Sequence, residues 1–371
     1  MLCARQTILQ KQRFSLLFTA SKDPIFSTEL FLLTKPQTNS VHHSNHAMLM
    51  KRSIFFALAL ASSQLIGHLA TAQVATNPVG FETRTIPASR LGALSLPLDR
   101  IQVFTGPVSA VSSNTITTNG ANFGSLSTPA APHVIRFLDG PSEGRQYRIT
   151  ANDPQTLTLD ATVNAVVGNR YDVFPIHTLA SFFGQTAASP GALPIIRNAD
   201  PLLADNVLIR GTFGYNVYYN DGNNFLLSGG TGAQDDVPLI PDRGFLFQRR
   251  SGSGSIDLTV LGAVPITNLL TDLPAGRVTV FPHRLPVATT LDNLGIDEQA
   301  GWKKDIDPAV ADNLLQRGTF GWNVYYHNGT NWLLSGGTAD PQNNVAVGVG
   351  EALLAVRRSG INITVQQIKT Y

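Results

Sequence analysis

Apolar and polar positions alternate along much of this chain with a period of two, the spacing of a strand that buries one face. Phe213, Tyr215, Val217 and Tyr219 alternate with Gly214, Asn216 and Tyr218. Asp221-Gly222, a strong hairpin-turn signal, then leads into Phe225-Leu226-Leu227. Asn328-Gly329 plays the same part further on. Pro241-Asp242-Arg243-Gly244 turns the chain into Phe245-Leu246-Phe247; residues 252–255 read as a loop, and 256–260 alternate again. Upstream, residues 134–137, 146–149 and 156–159 are three strand-like runs, parted by Asp139-Gly140-Pro141 and Asn152-Asp153-Pro154. One helical turn is expected around 308–315, with a counterpart around 201–208. Short strands punctuated by Gly, Pro, Asn and Asp predict an all-β fold of antiparallel sandwich or barrel-like modules.

The pattern recurs. Residues 205–230 (DNVLIRGTFGYNVYYNDGNNFLLSGG) and 312–337 (DNLLQRGTFGWNVYYHNGTNWLLSGG) are identical at 19 of 26 positions, at an offset of 107. Arg249-Arg250-Ser251-Gly252 answers Arg357-Arg358-Ser359-Gly360, and residues 256–260 answer 361–365. A fainter match, residues 86–91 to 273–278, has an offset of 187. The difference between the offsets places about 80 extra residues inside the first copy. The first module is therefore expected over 73–262, interrupted by a small β unit at about 102–180, and the second over 266–371. Insertions survive best at exposed loop tips, so the guest unit should project from its host.

The N-terminal part reads differently. Lys51-Arg52, the apolar run 54–66 and Ala70-Thr71-Ala72 form the three parts of a cleaved signal peptide over 48–72, with cleavage between Ala72 and Gln73. The apolar run is too short for a stable bilayer span. Residues 1–47 show no sustained period and read as a non-native or disordered extension. All three methionines and the only cysteine precede residue 73, so the exported part forms no disulfide and offers no thiolate. After residue 72 there are 20 basic and 23 acidic residues. That near-neutral balance lacks the basic stripe that nucleic acid requires. The chain is expected in the periplasm, on the cell surface or outside the cell.

Pro78-Val79-Gly80-Phe81, Leu96-Pro97-Leu98-Asp99-Arg100, the run 144–160 (GRQYRITANDPQTLTLD) and the run 241–250 (PDRGFLFQRR) together resemble an uncharacterised family of exported, β-rich proteins from Verrucomicrobia-type bacteria. The resemblance covers most of residues 78–262. The second copy departs from it, with Val349-Gly350-Glu351-Ala352 in place of Pro241-Asp242-Arg243-Gly244. The family carries no assigned activity, so the resemblance implies location and architecture and transfers no catalytic residue.

Catalytic and metal motifs are sparse. His133, His177, His283 and His327 form no local ligand pair. Asp221-Gly222-Asn223-Asn224 and Asp235-Asp236 supply hard oxygen donors, but without the spacing of a calcium loop, and they are equally turn chemistry. No nucleophile elbow and no phosphate-loop lysine appear. No cofactor and no catalytic residue is assigned.

The aromatic stripe is the richer signal. Tyr215, Tyr218, Tyr219 and Phe225 match Trp322, Tyr325, Tyr326 and Trp332, every substitution keeping the ring. Most of these rings are expected in the core. Tyr218 and Tyr325, on the opposite face from their neighbours, are the candidate sugar-stacking platforms. Arg249, Arg250, Arg357 and Arg358 are the candidate contacts to carboxylates or acidic polysaccharide, which a planar guanidinium suits. The expectation is a non-enzymatic binding or structural protein of the envelope, taking glycan or protein partners through paired sites on its two copies. The alternative is an extracellular polysaccharide hydrolase with carboxylates from separate loops.

Overall fold

The computed structural model describes residues 78–371 apart from 125 and 253. The expected extension, signal peptide and Ala72/Gln73 cleavage site lie outside the described residues. The fold is all-β and antiparallel. Among the described residues, no helix is long and apolar enough to cross a membrane.

The chain opens with β1 (Val79–Ile86) and β2 (Leu91–Leu94). It then enters eight strands: β3 (Phe104–Pro107), β4 (Ala110–Ser112), β5 (Thr115–Thr117), β6 (Ser127–Thr128), β7 (Ala131–Phe137), β8 (Gln146–Asn152), β9 (Thr156–Leu159) and β10 (Arg170–Pro175). These form one sheet in the order β3-β10-β7-β8-β9-β5-β4, with β6 beside β7. They occupy the segment where the guest unit is expected. The sheet folds over a core of its own, with Ile116, Ile135, Phe137, Leu157 and Tyr171 all sealed from solvent.

The host module resumes at β11 (His177–Thr178) and a short helix, α1 (Leu179–Phe183). Thr178 and Ser181 cap α1 reciprocally, backbone to side chain. Then follow β12 (Asn206–Arg210), β13 (Tyr215–Asn220), β14 (Phe225–Leu227), β15 (Pro238–Leu239), β16 (Phe245–Gln248) and β17 (Ile256–Ala263). The five-stranded sheet runs β14-β13-β12-β16-β2, and β1 pairs with β17 along its whole length.

The second module repeats that order with β18 (Leu269–Leu273), β19 (Val278–Pro282), β20 (Thr289–Thr290), a 3-10 turn (Asp292–Leu294), β21 (Asn313–Arg317), β22 (Trp322–His327), β23 (Trp332–Leu334), β24 (Ala346–Val347), β25 (Ala352–Val356) and β26 (Ile363–Gln367). Its sheet runs β23-β22-β21-β25-β19, and β18 pairs with β26. Registers match as well. Asn206 faces Tyr219 and Gln248, as Asn313 faces Tyr326 and Val356.

Local chemistry explains the turns. Asp221 accepts hydrogen bonds from the amides of Asn223 and Asn224, and Gly222 sits at φ 110°. Asn328 and Gly329 (φ 107°) build the same hairpin in the second module. Left-handed backbone at these tips is where glycine is cheap. The helical turns expected around 201–208 and 308–315 are single turns, closed by the Ala204 and Ala311 amides donating to the Asp200 and Asp307 carbonyls, that run straight into β12 and β21. Asp200 and Asp307 accept from the amides of Leu202 and Ala309. Ladder pairing then extends the chain before a helix can propagate.

Each module buries a face of its sheet. Phe183, Phe225 and Phe247 anchor the first core, with Phe183 and Phe247 stacked at 5.6 Å. Trp332, fully buried beside Trp302, anchors the second. Each such side chain contributes roughly 1.5–3 kcal/mol of burial. The opposite faces of the two sheets pack on one another through Ala93, Leu246, Val280, Ala352 and Leu354. Backbones approach closely there. A Cβ on Gly244 would lie 2.5 Å from a Val280 methyl and 2.9 Å from the Leu94 carbonyl oxygen.

Candidate functional site

The structure withdraws each ligand contact the sequence suggests. Tyr218 and Tyr325 do point away from Tyr215 and Trp322, but into the module cores, where only 6% and 4% of each is exposed. Tyr215 and Trp322 line the sheet-to-sheet seam instead. Both faces of each sheet are covered, so alternation distinguishes two buried environments rather than a buried and a wet one. No platform exists at Tyr218 or Tyr325.

The twin arginines are clasps. Arg249 pairs with Asp205 and donates to the carbonyls of Pro194 and Gly254. The Asp205 carboxylate also accepts from the amides of Ile196 and Arg250. Arg250 donates to the Asn206 side chain at 2.7 Å and to the Pro201 and Ala204 carbonyls. In the second module Arg357 bonds Asp312 at 2.8 Å and the carbonyls of Leu273, Gly301 and Ile361, while Arg358 bonds Asn313 and the Ala311 carbonyl. Every one of these guanidiniums is committed internally. The Asp-Asn that opens each copy and the Arg-Arg that closes it are halves of one lock. Their joint recurrence was the signal for it.

What the structure assembles is a polar crevice of about 470 Å³ where all three units meet. Its floor is a face of the guest sheet. Arg136 stands opposite Gln146 and Asp172 in the register, and directly opposed residues share a face. The other face carries the guest core, so this one must be matched by its neighbours. Arg136 pairs with Asp99 of the first module and lies 3.7 Å from Asp172; its guanidinium also covers the Phe174 ring at 5.0 Å. Arg284 of the second module, buried completely, reaches the other Asp99 oxygen at 3.6 Å. Burial pushes the Asp172 carboxyl up and the Arg284 guanidinium down from their ordinary values. Truncating one partner of such a cluster strands a buried charge.

Above this base the crevice is lined by Arg145, Arg148 and Asp160 of the guest, Asp242 and Arg243 of the β15–β16 turn, and Asp272 of β18. Arg145 ties guest to second module through Asp272 at 2.6 Å, and Asp272 also accepts from Thr364. Asp160 accepts from the Arg148 amide at 3.0 Å. Burial raises the Asp242 carboxyl; Arg243 and Arg284 pull it back, while Asp160 and Asp272 push it further up. Gln146 is 8% exposed, and its amide nitrogen and oxygen both lack a hydrogen-bond partner among the described residues. An Asp242 oxygen is likewise buried and unbonded. Each such group left unmade costs about 1–3 kcal/mol, so the floor of the crevice favours an occupant that both donates and accepts.

Three carboxylates face three guanidiniums here. The arrangement intersperses both signs of charge and is rich in donors and acceptors at fixed positions. Among the described residues no cluster of three or more metal-ligating side chains occurs. His177, half-buried with its ring 5.3 Å from that of Phe182, is held down to about 4 by burial, with Arg100 adding to the effect.

The crevice draws on two of the stretches singled out in the sequence. Residues 144–160 supply Arg145, Gln146, Arg148 and Asp160, and residues 241–250 supply Asp242 and Arg243. No family model, curated protein or solved structure matches this chain.

Proposed function

We propose that this is an exported binding protein that holds a neutral, polyhydroxylated ligand, a segment of glycan, in the crevice between guest unit and modules. The observation that carries the reading is Gln146. An amide with both hydrogen-bonding ends buried and unsatisfied, in a crevice that also holds a carboxylate oxygen without a hydrogen-bond donor, is poised for vicinal hydroxyls, which donate and accept together. The interspersed charges around it, and a volume within the range of small-ligand sites, support the same class. The crevice occurs once, because the second module has neither the guest unit nor the Asp242-Arg243 turn. The paired-site scheme expected from the duplication therefore does not apply to it.

The test is a glycan array on the purified protein, followed by calorimetry on any hit. Gln146→Leu should weaken binding tenfold or more without lowering the melting temperature of the free protein. Unchanged affinity in Gln146→Leu, or an array blank for wild type, would overturn the assignment. Export is checked separately by mass spectrometry of the mature N-terminus in cell fractions.

One observation favours a second reading, glycan hydrolysis. Asp242 is held toward its protonated form, while Asp160 and Asp272 supply carboxylates nearby, and glycosidases use one carboxyl of each kind. Release of reducing ends from a bound polysaccharide, abolished by Asp242→Asn, would establish it. Binding without turnover would dismiss it.

A further inference from the structure

Phe213 and Phe320 occupy equivalent positions at the tips of the β12–β13 and β21–β22 hairpins. Both are 101% exposed, more than any other large apolar side chain among the described residues. The tips are tight: the Gly211 amide donates to the Gly214 carbonyl at 2.7 Å, and Gly318 to Gly321 at 2.8 Å. The residues beside each phenylalanine, Thr and Gly, are too small to cover its ring. At the neck of each tip an arginine sits over an aromatic ring, Arg210 over Tyr215 and Arg317 over Trp322, both 5.7 Å from the centroid. Neither arginine is paired with a carboxylate among the described residues. Arg90 adds a further cation at the second tip, donating to the carbonyls of Gly318 and Thr319.

Solvation alone gives no reason to place a bare phenylalanine at the same spot twice. The tip is narrow, a wedge of four residues, and cannot supply the roughly 800 Å² per partner of a standard protein interface. It suits a medium that deforms around a single ring. The cation at its neck, free of internal carboxylates, complements negative charge at the entrance of that medium. An apolar interior beneath an anionic surface describes a lipid bilayer. We infer that the two hairpin tips are membrane wedges, each inserting its phenylalanine among acyl chains while Arg210 or Arg317 meets anionic headgroups. One wedge alone binds weakly. Two on one chain gain through effective concentration wherever both reach lipid.

The experiment is cosedimentation of the purified protein with vesicles of phosphatidylcholine, with and without phosphatidylglycerol. Wild type should bind the anionic vesicles and release at high salt. Phe213→Ser with Phe320→Ser should lower partitioning tenfold or more, with the thermal melt unchanged because neither ring packs on anything. Each single variant should fall between, and Arg210→Gln with Arg317→Gln should abolish the preference for anionic lipid. Failure of wild type to sediment, or equal sedimentation of the double phenylalanine variant, would overturn the inference. So would self-association that needs Phe213 or Phe320 and proceeds without vesicles, which would make a second copy of the chain the partner.

Discussion

The two modules differ far more in what they host than in how they are built. Each has a five-stranded sheet, two two-stranded ribbons, a glycine-turned hairpin and an Asp-Asn/Arg-Arg clasp. Between β2 and β11 the first module carries residues 95–176, whereas between β19 and β20 the second spans only 283–288. The guest brings a core of its own, so it costs its host little. It also brings a polar sheet face that only the junction of all three units can satisfy. The duplicated frame thus supplies stability twice and the crevice once. Chemistry resides where the copies diverge.

Removing the shared clasp tests the equivalence most severely. Asp205→Ala and Asp312→Ala should each cost about 3–5 kcal/mol in urea unfolding, because Arg249 or Arg357 is left buried without its counterion. A large loss from one and almost none from the other would break the parallel between modules.

The seam between the sheets is less symmetrical. Gly244 in the first module stands where the second has Ala352, since Phe245 pairs with Leu94 as Leu353 pairs with Phe281. Gly244→Ala should cost about 1–3 kcal/mol through overpacking against Val280 and the Leu94 carbonyl. A neutral result in the same unfolding assay would mean that the sheets slide apart freely.

A smaller asymmetry is visible in acid. His177 begins β11, where the second module has Thr289 at the start of β20. With its folded value pulled down to about 4 from the usual 6.5, the unfolded chain takes up this proton first. The stability His177 protects is complete above pH 6.5 and drains away as pH falls toward 4, by at most about 1.4 kcal/mol per pH unit. His177→Asn should flatten part of that slope in melts across this range. Burial lowers His133, His283 and His327 in the same sense, so the remainder persists. Asp172 and Asp242, both raised, act oppositely and favour the fold as they gain protons. An unchanged profile in the variant would remove His177 from the account.

Much of the frame was legible because strands and turns are local. Asp221-Gly222 and Asn328-Gly329 announced hairpins, and the runs near 134, 146 and 156 lie within β7, β8 and β9. Which face of a strand meets water is not a local property. Tyr218 and Tyr215 alternate as expected, yet one enters a module core and the other a seam between sheets. Phe213, in phase with Tyr215, reads as a strand residue until the tight Gly211–Gly214 contact ends the ladder before it. The crevice was least visible. Gln146, Asp242 and Asp272 are far apart in sequence, and no spacing rule relates residues that meet only when three units dock.

Arg284 ties that docking to the end of the chain. It arrives late in the chain, yet its charge completes a cluster begun by Asp99, Arg136 and Asp172. Without it, two carboxylates would share a single guanidinium. The guest's polar face is thus held from both modules, and the last hundred residues act as the keystone that closes the vault.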